Sequence, residues 1–570
     1  MFKKVSPIIV VVLALLVLSI GVTYAQSTPA RGGIVMVQQA PAGSWVRNFN
    51  PLIATGALPG TVNIIYEPLM VYSALTGSPT PWLSTGFTFS ADGKTLTYAL
   101  HDGVKWSDGQ PFTADDVVFT FNLVKQFPAL DGLGDWSLLD SVAKVDNVTV
   151  AFTLKDVYSL APTVLGRQRI VPQHVWSTIA DPTTYTNENP VATGAFTEIK
   201  NFSDQTYQIC ANPNYWQMGA DGKPLPYVSC LQYPAYTAND AANLALINGD
   251  LDWIGNQVAD IDNTFVAKDP AHNHYWFALA NPWGFYVNAT KKPFDDVKVR
   301  QAMDLAIDRD GIAQANVKNG YQAWSQDYSS GISPKYSAFV SQDVLDQIHS
   351  MGLGTFDEAK AQQILDDAGY KVGSDGFRTM PDGTPIGKFN VQIVSGWTDV
   401  VTAAQVISQG FQDIGLDASV VTPDQGTFQA NLSNGTFDTS LGWFSWGATP
   451  WDFFHQTMDS RLTNAQGVSS GQFQSRVFDP AWNALLDQYL KTSDPTQQQV
   501  IASQLDMAYV TNVVSSEFGV LPAWFEYSTK RFDGWPTKDN PYAQGSPWAN
   551  EDAHLVSVQI HCVDSTSCGQ

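Results

Sequence analysis

The stretch SADGKTLTYALHDGVKWSDGQPFTADDVVFTFN, Ser90 to Asn122, carries two periodicities in one run. Phe87 and Phe89 on one arm, and Leu96, Tyr98 and Leu100 on the other, fall two apart, the spacing of one face of a pleated strand. Asp92-Gly93 stands between the arms and favours a tight turn, so a β-hairpin is expected. TADDVVFTFNLVKQF then reads as a helix. Thr113 is a good N-cap, and Asp115 and Asp116 place negative charge in the first turn, where the helix dipole favours it.

Working outward, residues 32–40 and 61–72 are apolar, β-branched runs that read as strands. Further strands are expected around 148–154 and 194–200, and a helix over 238–248. DDVKVRQAMDLAIDRDGIAQAN reads as one helix, with Val299, Met303, Ala306 and Ile307 on one face. FDEAKAQQILDDAGY is a second, closed by Gly369. FNVQIVSG, DVVTAAQVISQGFQDIGL and DASVVT follow as strand, helix and strand, a βαβ-type unit within 390–422. The fold class is therefore α/β with mixed sheets and several lobes.

Of the 570 residues, 12% are aromatic and 15% charged, a balance that suits binding through rings more than through ions. The net charge of −23, with no basic run, argues against phosphate-neutralising nucleic-acid binding and against an anionic membrane surface. The N-terminus places Lys3 and Lys4 before an apolar stretch, Ile8 to Val22, that ends at Thr23-Tyr24-Ala25. Residues 1–25 read as a cleaved secretory signal peptide, and the chain is expected in the periplasm or outside the cell envelope. A retained anchor is the alternative, and the apolar run is short for it. Exported proteins form disulfides, and the neighbour pairing Cys210–Cys230 and Cys562–Cys568 is expected among three connectivities. A metal site is the competing reading, weakened because no Cys-x-x-Cys is present.

The chain resembles the family 5 extracellular solute-binding proteins of ABC importers, the dipeptide and oligopeptide type. The resemblance is carried in order by YEPLMVY (Tyr66–Tyr72), the Ser90–Asn122 stretch, PVATGAF (Pro190–Phe196), NPNYW (Asn212–Trp216), LALINGDLDW (Leu244–Trp253) and FYVNATKKPFDDVKVRQAMDLAIDRDGI (Phe285–Ile312). His101 departs from the family's usual Arg or Lys. The resemblance implies a periplasmic-binding-protein-like three-lobed clamshell, type II and cluster C-like. Lobe I is expected from 26–75, 190–282 and 526–570, an inserted lobe II from 76–189, and lobe III from 283–525. It further implies a monomer that closes on a small ligand and docks on the transmembrane subunits of a permease, with no cofactor, no metal and no catalysis.

GWFSWGATPW, Gly442 to Trp451, bears on the ligand. Peptide-binding members resemble Gly-Trp-x-x-Asp here, and that Asp holds the peptide ammonium. Trp446 stands at the Asp position, and an indole cannot replace a buried counter-ion. Sugars offer an apolar C–H face for indoles and hydroxyls for polar edges. Trp45, Trp283, Trp397, Trp443, Trp446 and Trp451 are the candidate ring contacts, with Asn48, Asn50, Asp452 and Gln456 as polar contacts. FDGWPTKDNPYAQGSPW, Phe532 to Trp548, is similar to the branch that takes up β-linked gluco-oligosaccharides such as cellobiose. An oligosaccharide is therefore the expected ligand and a di- or oligopeptide the alternative. A secreted glycoside hydrolase is the rival from another class, since it too needs tryptophan-lined subsites, along with two opposed carboxylates. No His-Glu-x-x-His or Gly-x-Ser-x-Gly is present, and the histidines of HNH, His272 and His274, are a weak metal signal.

Overall fold

The computed structural model describes residues 29–39, 42–53, 56–73, 75, 79–318, 332, 336–444, 447, 449–463, 465–467, 475–492, 494–549 and 551–568. The segment read as a signal peptide and Trp446 lie outside the described residues.

The Asp92-Gly93 turn closes a hairpin of Ser84–Phe89 and Thr95–Leu100, with Phe87 opposite Tyr98 and Phe89 opposite Leu96. The arms differ in burial: Leu96 and Tyr98 are fully buried, whereas Phe87 and Phe89 are more than a third exposed. The hairpin joins Leu139–Asp146 and Thr149–Leu154 in a four-stranded antiparallel sheet. Helix Ala114–Gln126 starts where expected. Thr113 and Asp116 cap each other reciprocally, satisfying two orphan N–H groups, and Phe121 packs edge-on to Phe152 of the sheet.

A seven-stranded sheet is built from Ile34–Gln38, Phe196–Lys200, Thr206–Ala211, Cys230–Pro234, Trp253–Ile254, Asn273–Tyr275 and Glu526–Ser528. Cys210 lies directly opposite Cys230 across two of these strands, and the structure joins them in a disulfide. Cys562 is joined to Cys568. A five-stranded sheet takes Ala278–Val287, Phe389–Gln392, Ala418–Val421, Thr439–Trp443 and Ser516–Ala523. Within it the βαβ unit is as expected: Phe389–Gln392 and Ala418–Val421 are parallel, joined by helix Thr398–Asp413.

One apolar core runs beneath the seven- and four-stranded sheets, taking in Val35 and Trp253 together with Leu96 and Phe152. A second fills the five-stranded unit around Phe285, Val391, Phe411 and Leu441. Tyr158 packs against both cores.

Two expectations are corrected. The run 61–72 is not one strand: Thr61–Ile65 forms a widened π-type turn, and Met70–Tyr72 alone is extended. The Val62 carbonyl accepts from Arg169 and the Ile65 carbonyl from Gly194, so tertiary partners outbid β propensity. The single helix expected over 295–316 is two, Val297–Leu305 and Arg309–Lys318. Asp308 accepts from Gly311 N–H and starts the second, while Arg309 folds back onto Asp304 at 2.6 Å in a buried ion pair.

Gly410 brings helix Thr398–Asp413 against the end of the first of these helices. A Cβ there would meet the Ala306 carbonyl oxygen at 2.1 Å. Gly→Ala in an open helix stabilises by up to about 1 kcal/mol. Gly410→Ala should instead destabilise by about 1–3 kcal/mol, read as a lower melting temperature; a rise would refute the close approach.

Candidate functional site

The five-stranded sheet gathers three indoles that are far apart in sequence. Trp283 lies on Ala278–Val287 and pairs in register with Trp443, the last residue of Thr439–Trp443. Trp397 sits at the start of helix Thr398–Asp413. Ring centroids are 5.9 Å apart for Trp283–Trp397, and 5.6 Å for both Trp283–Trp443 and Trp397–Trp443. The rings are mutually inclined at 46–76°, within the range in which aromatic pairs attract. Trp283 is buried, while Trp397 and Trp443 are each partly exposed. This is an aromatic wall with two of its three rings partly open.

A second, polar group of side chains collects at the carboxyl ends of two parallel strands of the seven-stranded sheet, Ile34–Gln38 and Trp253–Ile254. Ligands of α/β sheets favour such ends. Gln38, Ile254 and Glu526 occupy one row across the sheet. Among the described residues, both side-chain polar atoms of Gln38 and of Gln257 lack a hydrogen-bond partner, as does Glu526 Oε1. Glu526 Oε2 accepts from Asn256 N–H, and burial holds this carboxyl well above the usual carboxylate range. Asn243, on helix Asn239–Asn248, donates to the Gln257 carbonyl and accepts from Asn256 Nδ2. A cavity of about 320 Å3 opens beside this cluster. It is lined by Asn239, Asn243, Gln257 and Val258 on one side and reaches Gly396, the neighbour of Trp397, on the other. Through Gly396 the cavity lining thus includes the chain neighbour of one ring of the wall.

The remaining expected contacts lie elsewhere. Trp45 is buried in the first core, with its N–H on the Tyr233 carbonyl at 3.0 Å. Trp451 is also buried; it donates to the Leu486 carbonyl and stacks on His455 at 4.2 Å. Asn50 is fully buried and bonded to the Pro182 and Tyr185 carbonyls, and Asn48 and Asn50 each accept from the N–H two residues on, as turn formers do. The structure thus buries Trp45, Asn50 and Trp451 with their polar atoms on backbone partners. Asp452 caps its own helix, accepting from Thr449 N–H and Oγ1, and Gln456 is half-buried one turn further on. His272 and His274 bond Thr529 and the Ala271 carbonyl.

A charged group flanks Asp452 at the junction with the four-stranded unit. Arg167 and Arg169 converge on the buried Glu551 at 3.0 and 3.3 Å. The Tyr72 and Tyr336 hydroxyls both donate to the Gly447 carbonyl, within the segment that holds Trp443 and Asp452. His554 lies against this group and is fully buried, and burial foremost, with the Arg169 charge, pushes it down to about 3.

Sequence reasoning missed Gln38, Asn239, Gln257 and Glu526. Only Gln257 carried a signal of position, in the segment GDLDWIGNQV that leaves a short strand at its carboxyl end; Gln38, Asn239 and Glu526 come from distant segments that the fold brings together.

The family described as bacterial extracellular solute-binding proteins, family 5 Middle, matches residues 78–464. The dipeptide-binding protein of Escherichia coli K12 is 25% identical over 486 residues, covering 81% of this chain and 84% of its own. The nickel-binding periplasmic protein of the same organism is 24% identical over 520 residues, covering 84% and 91%. Among solved structures, a mannohexaose-bound periplasmic oligopeptide-binding protein of an ABC transporter from Thermotoga maritima superposes with a TM-score of 0.82. It is 26% identical, covering 94% of this chain and 99% of its own.

His554 should make the protein acid-sensitive. Its folded-state value is depressed, so its neutral form contributes stability that is complete above its ordinary 6.5 and is lost as pH falls towards about 3. Wild type should lose about 4 kcal/mol more than His554→Gln between pH 6.5 and 3.5, measured by denaturant unfolding at each pH. Parallel pH profiles would refute this.

Proposed function

We propose that this chain, which belongs to the family 5 bacterial extracellular solute-binding proteins, carries a neutral oligosaccharide to its permease. The coarser statement stands on the family: it is an extracytoplasmic solute-binding protein of an ABC importer. The observation that carries the finer reading is the wall of Trp283, Trp397 and Trp443, two of whose rings are partly open. Indoles cover the C–H faces of linked sugar rings, and several in one place make successive subsites. The mannohexaose in the related Thermotoga protein supports the same class of ligand. A β-linked gluco-oligosaccharide such as cellobiose is the leading member, and a manno-oligosaccharide belongs in the same test.

In this reading lobe I is 26–75, 190–282 and 526–570, the inserted lobe II is 76–189, and lobe III is 283–525. The protein acts as a monomer. Lobe III closes its aromatic wall against the polar cluster of lobe I, and the closed form docks on the permease.

A di- or oligopeptide is the second reading, favoured by the dipeptide-binding relative. It needs a carboxylate for the ligand ammonium. Asp452 is the nearest candidate on the segment, and it already serves its helix N-terminus and lies in the field of Arg167.

A thermal-shift panel separates the two. A ligand that binds only the folded state stabilises by about 2.7 kcal/mol at a hundred times its Kd. Cello- or manno-oligosaccharides should raise the melting temperature, and Trp443→Ala should cut their affinity about tenfold. Stabilisation by di- and tripeptides without any by sugars would overturn the oligosaccharide reading.

A further inference from the structure

We propose that the cavity at the start of helix Asn239–Asn248 is a subsite for the hydroxyl edge of one sugar ring, and that Gln257 determines which hydroxyl pattern it accepts. This rests on the oligosaccharide reading above and assigns a specificity residue within it.

Three observations converge there. Gln257 is 9% exposed and lines the cavity, and its buried Nε2 and Oε1 have no hydrogen-bond partner among the described residues. Buried polar groups are ordinarily paired, and leaving an amide unpaired on both atoms costs stability. The cost is understandable when a ligand supplies the partners. Asn239 adds a second unpartnered acceptor, Oδ1, in the first helical turn, where backbone N–H groups lack intrahelical acceptors. Leu244, Ile247 and Val258 give the cavity an apolar flank.

The chemistry of the lining selects the ligand class. An amide both donates and accepts, as a hydroxyl does, so Gln257 and Asn239 match vicinal hydroxyls. Among the described residues lining the cavity, Asp240 is the one that is charged, and it faces solvent, which disfavours an anionic ligand. Gly396, the chain neighbour of Trp397, is on the lining, so a sugar held by Gln257 would extend from there toward the indoles.

The test is isothermal titration of wild type and Gln257→Leu with mannohexaose and with cellohexaose, alongside the melting temperature of each ligand-free protein. Gln257→Leu should bind the preferred sugar about tenfold more weakly. Its ligand-free melting temperature should stay level or rise, because an unpaired buried amide has gone. Unchanged affinity would overturn the subsite while leaving the oligosaccharide reading intact. A lowered ligand-free melting temperature would overturn it too, marking Gln257 as structural. Wild type binding neither sugar would overturn the oligosaccharide reading and the subsite together.

Discussion

Two paired strands join the aromatic wall to the polar cluster. Asn273–Tyr275 and Glu526–Ser528 pair at the edge of the seven-stranded sheet, Trp276 N–H reaches the Phe525 carbonyl, and Ala278–Val287 pairs with Ser516–Ala523 in the five-stranded sheet. The chain thus passes from one sheet to the other as an antiparallel ribbon. Sliding one strand past the other by a residue would turn every side chain to the opposite face, so the ribbon resists shear. Two-stranded ribbons twist readily, and register shifts at Leu279/Pro282 and Trp283/Gly284 interrupt the ladder. Trp283 lies on this ribbon and Glu526 at its far end. A bend in it changes the distance between the indoles and the amides while leaving each group intact.

Burial without charge pairing is the second theme. Glu67 is nearly fully buried, and burial raises it to about 7 despite hydrogen bonds from Trp82, Tyr215 and Trp216. Those three donors come from two segments, so Glu67 ties YEPL to NPNYW and to the bend just before the hairpin. Gln257 and Gln38 are the opposite case: buried, polar and unsatisfied. The contrast separates structural from recognition residues. Protein donors converge on Glu67, whereas among the described residues none reaches the two glutamine amides, the groups proposed above for recognition.

Much of the fold was legible in the sequence because its signals are local. A two-residue period with Asp-Gly between its arms folds into a hairpin wherever it sits, and Thr113 with Asp116 needs only its own first turn. The failures were local signals overruled from outside. Arg169 and Gly194 draw carbonyls out of 61–65, and the Glu517 carbonyl holds Arg309 where the helix read over 295–316 breaks.

The site was less legible, for the same reason. Tryptophan type and a loop-like setting singled out Trp283, Trp397 and Trp443, and they meet in space. Trp45 and Trp451 looked the same in sequence, yet their N–H groups end on the buried Tyr233 and Leu486 carbonyls. By itself the sequence determined the α/β class and the family, because these rest on neighbouring residues or on motifs in order; it favoured the cystine pairing that the structure shows. Only the tertiary structure decided which rings form a wall and which amides go unpaired. Both depend on what the rest of the chain brings within a few ångströms, or fails to bring.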